Sequence, residues 1–448
     1  MPDVICSSAV DTFMRSASQT AMQTNLNIGE INSNKVFVGT GNTGDASNYI
    51  FGNNNSIVGG VNGAYVFGQG NSVNSYNLVV GGSNTTGTGS SQIIIGSSNS
   101  TGTGIHTVFI GNNGGNGNNP YSVGIGYAAV ALGESSVCLS GGGSGNWNNA
   151  PYGVSIGYWS QNNPAGATAG CVSIGYYSSC NNDNATAIGQ NNSAGLGSVA
   201  VGQGNSVDSY SVGVGYNADA VSQGIALGYN AYSGGTNAIA IGTSSSAGNT
   251  AGIAIGNSAT TSNSVNGVAI GNGCASNTNS VAIGTNADMI AATTSGVVIG
   301  DNCTAESYSV SVGYQAVAKD SSIAIGYQTN QSAALYQTCV GYQCTSGANY
   351  AGAIGVRAKS TVANAQEIGY WSSSTVRAGA VRIHGTGMVA MTVQDRATEY
   401  TDGGTTAGAE ADNTLPRGCW AIRRNGLQFI LDYNDAGTIK NIVLGTVT

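Results

Sequence analysis

Residues 279–288 read Asn279-Ser-Val-Ala-Ile-Gly-Thr-Asn-Ala-Asp288, and the tetrapeptide inside them, Val281-Ala-Ile-Gly284, sets the pattern of the chain. Ile323-Ala-Ile-Gly326, Ile253-Ala-Ile-Gly256 and Val172-Ser-Ile-Gly175 are copies of it. Anchored on the last residue of each copy, the sequence holds 24 units between positions 39 and 369, spaced 13 to 18 residues apart. The anchor is glycine in 23 of them, Ser140 being the exception, and the residue before it is Val, Ile or Leu in all but the units with Phe51 and Phe67. A supersecondary unit this short cannot bury a core alone, and stacking units with like positions in register buries a continuous one.

Each unit reads as two short strands. In the first, the residues one and three before the anchor are apolar and the one between is small, as at Ala254, Ala282, Ala324 and Ser173. That alternation predicts a strand with one buried face. In the second, small residues recur three and five positions after the anchor, as at Ala218 and Ala220 or Ala316 and Ala318. The anchor glycine lets the chain turn where a Cβ would clash, and Asn, Ser and Gly between units are turn formers. The expected fold is all-β: a parallel β-roll, or β-solenoid, of about 24 short coils. At ~4.8 Å per rung such a rod is on the order of 110 Å long. It is thin, so its surface is large for its core, which favours several chains packing side by side.

Composition agrees with this reading. Glycine fills 71 of 448 positions and only 7% of residues are charged, while 41% are apolar. Disordered chains have the opposite balance of charge and apolar content. Five prolines and no glycine at every third residue exclude collagen. No apolar run reaches the ~18 residues of a membrane helix, and MPDVICSSAV shows no secretory signal pattern. Between Lys35 and Lys319 there is no Lys or Arg in 283 residues, and the eight acids in that span equal the net charge of −8. Such a body cannot make the phosphate contacts on which nucleic-acid affinity rests, and it lacks the basic face of a membrane-surface protein.

Units such as Asn279–Asp288 and Gly228-Tyr-Asn-Ala-Tyr-Ser-Gly resemble the head repeats of trimeric autotransporter adhesins. The resemblance covers residues 36–372 and implies a left-handed winding and a homotrimer. The adhesins also have a secretory signal and end in a membrane-anchoring barrel segment with a terminal aromatic residue. This sequence ends in Gly445-Thr-Val-Thr448 and carries Arg423, Arg424 and Lys440 near that end, so a self-anchored adhesin is not expected.

The ends differ from the rod, giving expected domains of 1–35, 36–374 and 375–448. Across residues 7–28, Val10, Phe13, Met14, Ala17 and Ala21 fall at helical spacing, and Ser7, Ser8 or Asp11 can cap a short helix. Phe13-Met-Arg-Ser-Ala-Ser-Gln-Thr-Ala-Met22, followed by Thr24-Asn-Leu-Asn-Ile-Gly29, resembles a segment of bacteriophage tail-fibre and other virion fibre proteins. The resemblance implies an attachment segment with Phe13, Met14 and Met22 in it; a cap on the first coil is the alternative. Seven of the twelve basic residues fall in 375–448, where Asn425-Gly426 between two β-rich runs predicts a hairpin. This part is read as a small antiparallel β domain that caps or trimerises the rod, and it too resembles phage-fibre terminal domains.

The candidate site is aromatic. The longest units, between Gly111 and Gly175, carry Trp147, Tyr152 and Trp159 among Asn- and Gly-rich loops (112–119 and 141–152), and loops on a rigid scaffold are where binding concentrates. These three residues are candidates for glycan binding, against plain loop decoration. Tyrosine follows the anchor in nine units, among them Tyr216 and Tyr229, and Tyr314, Tyr327 and Tyr342. They read either as a sugar-stacking strip or as a ladder that stabilises the stack, and the ladder is preferred. Nine cysteines in no C-x-x-C pair give no metal or redox motif, and Cys274, Cys303 and Cys344 take the small inward position, as free thiols of a reducing compartment would. His106 and His384 form no recognisable triad, and the nearest acids in the rod, Asp301 and Glu306, stand as a lone pair. No catalysis, cofactor or metal is expected. The expected function is that of a phage virion fibre, made in the host cytoplasm, binding the virion at one end and a host glycan or protein receptor at the other. A secreted or cell-surface filament and a polysaccharide-degrading spike are the alternatives.

Overall fold

The computed structural model describes residues 28–32, 35–44, 47–58, 63–74, 76–140, 147–162, 170–261, 265–290 and 295–369, followed by short strands between 381 and 446. Its contacts divide the chain into two compact units, Met1–Arg382 and Ile383–Thr448. The helix expected over residues 7–28, with Phe13, Met14 and Met22, lies outside the described residues, except that Ile28 opens a strand instead. That strand, Ile28–Asn32, pairs antiparallel with Lys35–Val38 and closes the edge of the first rung.

The first unit is a parallel β-solenoid of more than twenty turns, with no helix among the described residues. Its first ladder has 24 parallel rungs from Lys35–Val38 to Gln366–Gly369, and the anchors stack in register, Gly313 on Gly326 and Gly326 on Gly341. The second ladder runs beside it from Thr43 to Lys359–Ser360, its named strands joined by single bridges at Thr85, Thr260 and Ala275. Among the described residues, each glycine anchor of the rod marks a turn, and a second turn follows two positions beyond it. Around Gly284, for example, φ is +136° at the anchor and +49° at Asn286. A third left-handed corner lies five residues before the anchor, with φ of +53° at Asn279.

The alternation in the first strand is real, and its buried face is the one with the small residues. Ala254, Ala282, Ala324 and Ser173 are wholly buried, whereas none of the 24 residues just before an anchor is buried. Two facing strands of so narrow a coil leave room for little more than a methyl group along most of the rod, so the larger aliphatic chains point out. The first coils are wider: Phe37, Ile50, Val66, Val79, Ile94 and Phe109 take the inward place there. Facing them is a ladder of buried asparagines, in which the Asn71, Asn84 and Asn99 amides each donate to the preceding Oδ1 at 2.9–3.0 Å. The same amides donate to the next anchor's carbonyl, Asn84 to Gly96 and Asn99 to Gly111 at 2.8 and 2.7 Å. A glycine with positive φ turns its carbonyl towards the interior, and the residue three after the previous anchor satisfies it. Farther along, Ser178 does so for Gly189 and the Cys303 thiol for Gly313.

The second unit contains the expected antiparallel sheet. Trp420–Asn425 pairs with Gln428–Asp435, and Gln428–Asp435 with Thr438–Thr446. Its hairpin closes with Asn425 opposite Gln428. Ile430 is buried, while Ile442, Val443 and Leu444 are more than half exposed on the last strand.

Candidate functional site

Three surfaces of the solenoid could meet a partner, and the residues of each are fixed by the register. The first is the outward face of the first ladder, a mostly aliphatic plate of the side chains one and three residues before the anchors, aromatic at Tyr49, Phe51, Tyr65 and Phe67. Ile283, Ile299, Ile325 and Ile354 are 37–39% exposed along it. The second is the outward face of the second ladder, where Ser179, Ser193 and Ser206 stack rung on rung and the surface is mostly hydroxyl. The third consists of the two corners that border the plate.

Trp147 stands on the hydroxyl face, between Val130 and Gln161 in register, and is half exposed. Tyr152 stands at the corner before the first strand with φ +56° and is 62% exposed. Trp159 stands at the opposite corner, also with φ +56°, and its ring stacks on Tyr177 at 5.4 Å. The structure therefore sets the three candidates at three stations of the coil, and no ring contact joins any two of them among the described residues. Trp159 is part of a four-ring cluster instead: Tyr158 stacks on Tyr176 at 5.4 Å, and Tyr176 meets Tyr177 edge-on at 4.5 Å. The Trp159 indole nitrogen is buried, with no hydrogen-bond partner among the described residues.

The tyrosines after the anchors form stacks. Ring centroids lie 5.0 Å apart for Tyr216 and Tyr229, 5.1 Å for Tyr314 and Tyr327, and 5.0 Å for Tyr327 and Tyr342, with planes within 14° of parallel. Each ring gives its faces to its neighbours, so edges and hydroxyls remain for solvent; this is the geometry of a stabilising ladder. A glutamine column runs alongside, Gln328 donating to Gln315 and Gln343 to Gln328, each at 2.9 Å. Sequence reading missed the second aromatic corner, five before the anchor, where Tyr336 stacks on Tyr350 at 4.9 Å and His106 on Tyr121 at 5.4 Å. Its signal was a tyrosine recurring six residues before the one after the anchor.

The polar candidates have local partners. Glu306 pairs with the Lys319 ammonium at 2.7 Å, and Asp301 accepts from the Asn302 amide at 2.8 Å. Burial, and then the charge of Asp208, push the Asp219 carboxyl above the usual carboxylate range. Among the described residues, seven cysteines are buried thiols outside any disulfide, Cys274, Cys303 and Cys344 among them. Burial pushes the Cys138 thiol up to about 11 and Cys180 up to about 12, from an ordinary value near 9. Thiolate is the reactive form, so Cys138 and Cys180 are expected to resist alkylation in the folded protein, and burial keeps reagents from the other five as well. A thiol-reactive dye at pH 8 should count at most two groups before denaturation and nine after it. The raised values also set an alkaline limit. The folded state holds these protons more tightly than the unfolded chain, so their contribution is intact below pH ~9 and is lost as pH rises through about 11 to 12. A urea midpoint that stayed constant across that window would contradict it.

No protein-family model matches the chain, and no curated protein matches its sequence.

Proposed function

We propose that the chain is the subunit of a homotrimeric structural and adhesive fibre of a phage virion. In this reading three left-handed β-rolls pack around their aliphatic plates, one end docks on a virion attachment protein, and the exposed surface meets a host glycan or protein. The plate is the observation that carries self-association. It runs the length of a ladder on the order of 110 Å and is about 10 Å wide, or roughly 1,000 Å² per copy. A stable interface takes about 800 Å² from each partner, whereas apolar patches on monomers seldom exceed a few hundred. The number three, the handedness and the virion come from the resemblances in the repeats and the N-terminal segment. Free, buried thiols are consistent with assembly in a reducing cytoplasm before release.

Adhesion would work by reach and by multiplicity, because linked weak contacts raise avidity without tight individual sites. Sedimentation equilibrium of the full chain should give three times 44.5 kDa, and a single-chain mass would defeat the proposal. Imaging of the source particle should show the fibre projecting from it; end-to-end bundles without a particle would favour a filament.

Trp147 and Trp159 separate binding from packing. Trp147 stacks on no ring among the described residues, so Trp147→Ala should change stability by no more than about 0.5 kcal/mol. It should nonetheless reduce adsorption to host cells or glycan if that face binds. Trp159→Ala removes a ring pair and should cost about 1 kcal/mol. Unchanged adsorption by both variants would remove the aromatic glycan site while leaving the fibre reading in place.

A further inference from the structure

The two aromatic corners are filled together about twice as often as independent placement would give. Of 24 rungs, seven carry tyrosine five residues before the anchor and nine carry it one residue after. Independent placement would give about two or three rungs with both, and five have both: those anchored on Gly126, Gly157, Gly215, Gly313 and Gly341. In the last two the pairs are Tyr308 with Tyr314 and Tyr336 with Tyr342. All four of these rings are exposed, Tyr308 at 66% and Tyr342 at 43%.

Nothing within one chain asks for this pairing. The two positions stand at opposite ends of the first strand, on opposite edges of the plate, six residues or at most ~20 Å apart. No ring contact joins Tyr336 to Tyr342 or Tyr308 to Tyr314 among the described residues; the rings of Tyr336, Tyr342 and Tyr314 stack on neighbouring rungs instead, Tyr336 on Tyr350 and the other two on Tyr327. Between copies the requirement arises at once. Around an axis along the rods, cyclic packing brings the leading edge of each plate against the trailing edge of the next copy. If the copies are parallel and level, the two edges that meet belong to the same rung.

We infer that copies of this chain pack parallel and in register, with the tyrosine before the strand in one copy seated against the tyrosine after the strand of the same rung in its neighbour. The inference rests on the self-association proposed above and adds its direction, its register and its seam. Both edges are aromatic and bear a hydroxyl, which suits a boundary between an apolar plate and water. In register, five of the seven tyrosines before the strand meet a tyrosine. A shift by one rung leaves two in one direction and four in the other, where Tyr336 loses its partner to Val356, and an antiparallel pair would lose the matching altogether.

Photo-oxidative coupling of the full chain tests this. A ruthenium photocatalyst with persulfate takes one electron from each phenol; each also loses a proton, and a carbon–carbon bond forms ortho to the hydroxyls. The in-chain ladder provides an internal control, since Tyr327 and Tyr342 stack at 5.0 Å. Peptide mass spectrometry of the wild-type protein should find Tyr336–Tyr342 and Tyr308–Tyr314 links. Neither Tyr336→Phe nor Tyr342→Phe alone should give the Tyr336–Tyr342 link, and coexpression of the two variants should restore it, because it can then form only between copies. Ladder links without same-rung links, in a protein that sediments as an oligomer, would overturn the seam and leave self-association standing. A single-chain mass would overturn both.

Discussion

Replacing Gly326 by alanine is expected to unfold several coils around it, at a cost of at least about 3 kcal/mol. Two effects coincide there. The backbone holds φ at +132°, where an L side chain is strained, and a Cβ would run into the carbonyl oxygen of Gly341 in the next rung. The second effect is the larger, because that carbonyl belongs to a ladder fixed in register and cannot yield alone. The same collision with the next anchor's carbonyl recurs at Gly68, Gly81, Gly215 and Gly313, so the prediction extends to each of them. Gly248 supplies the control: a Cβ there meets nothing within 4 Å, and Gly248→Ala should be nearly neutral. Urea unfolding of both variants decides the matter. Equal midpoints for Gly326→Ala and the wild type would mean that the anchor is only a turn preference. In a stacked array each rung is held by its neighbours, so the loss should appear as a broken or less cooperative transition rather than a uniform shift.

Much of this fold was legible because the repeat reports backbone requirements. An anchor that must have positive φ and admit a neighbouring carbonyl accepts glycine almost alone, and 23 of 24 units obey. Other requirements leave no such mark. The corner five residues before the anchor also has positive φ, yet it is filled by Asn, Ser, Tyr, Gln, His and Ala as well as Gly, because near φ +55° the strain is moderate. The buried face of the first strand was illegible for a different reason. Apolar, small, apolar is the same string whether the large or the small residues point inward, and the deciding quantity is the width of the coil, which no single unit records. The thiol of Cys303 could be read as a small inward residue but not as a donor to the next anchor's carbonyl, and the matching role of the Asn99 amide left no mark in the repeat. Of the candidate site, the ladder of Tyr314, Tyr327 and Tyr342 followed directly from rung spacing. Trp147, Tyr152 and Trp159 were close in sequence, but a coil of this size sends neighbours in sequence to different faces.

Charging the plate should abolish assembly and spare the coil, the opposite of the anchor variant one residue away. Ile325 precedes Gly326, points outward, and is 38% exposed, with Ile299 and Ile354, each two rungs away, at 39%. Glutamate at these positions leaves the carboxylates in water if the chain is alone, at little cost to a coil whose interior is built from Ala282, Ala324 and their like. In an assembly packed through the plate, the same carboxylates would be buried; Ile299 lies in the span from Lys35 to Lys319 that has no Lys or Arg, and of the bases nearest Ile325 and Ile354 in sequence Lys319 already pairs with Glu306, while Arg357 and Lys359 stand beyond the anchor, off the plate. Each would cost several kilocalories per mole, so Ile299→Glu, Ile325→Glu and Ile354→Glu combined should shift the protein from oligomer to single chain at micromolar concentration. The far-ultraviolet β signal should persist, and the ring stacking of Tyr314, Tyr327 and Tyr342 should survive, since it lies within one chain. Sedimentation and circular dichroism on one sample read both outcomes. An oligomer that persists with three carboxylates on the plate would mean that the copies meet through another face, with the hydroxyl ladder of Ser179, Ser193 and Ser206 next in line. Loss of the β signal together with assembly would mean instead that the coil cannot fold without its neighbours, and that the plate is the outer half of a core shared between chains.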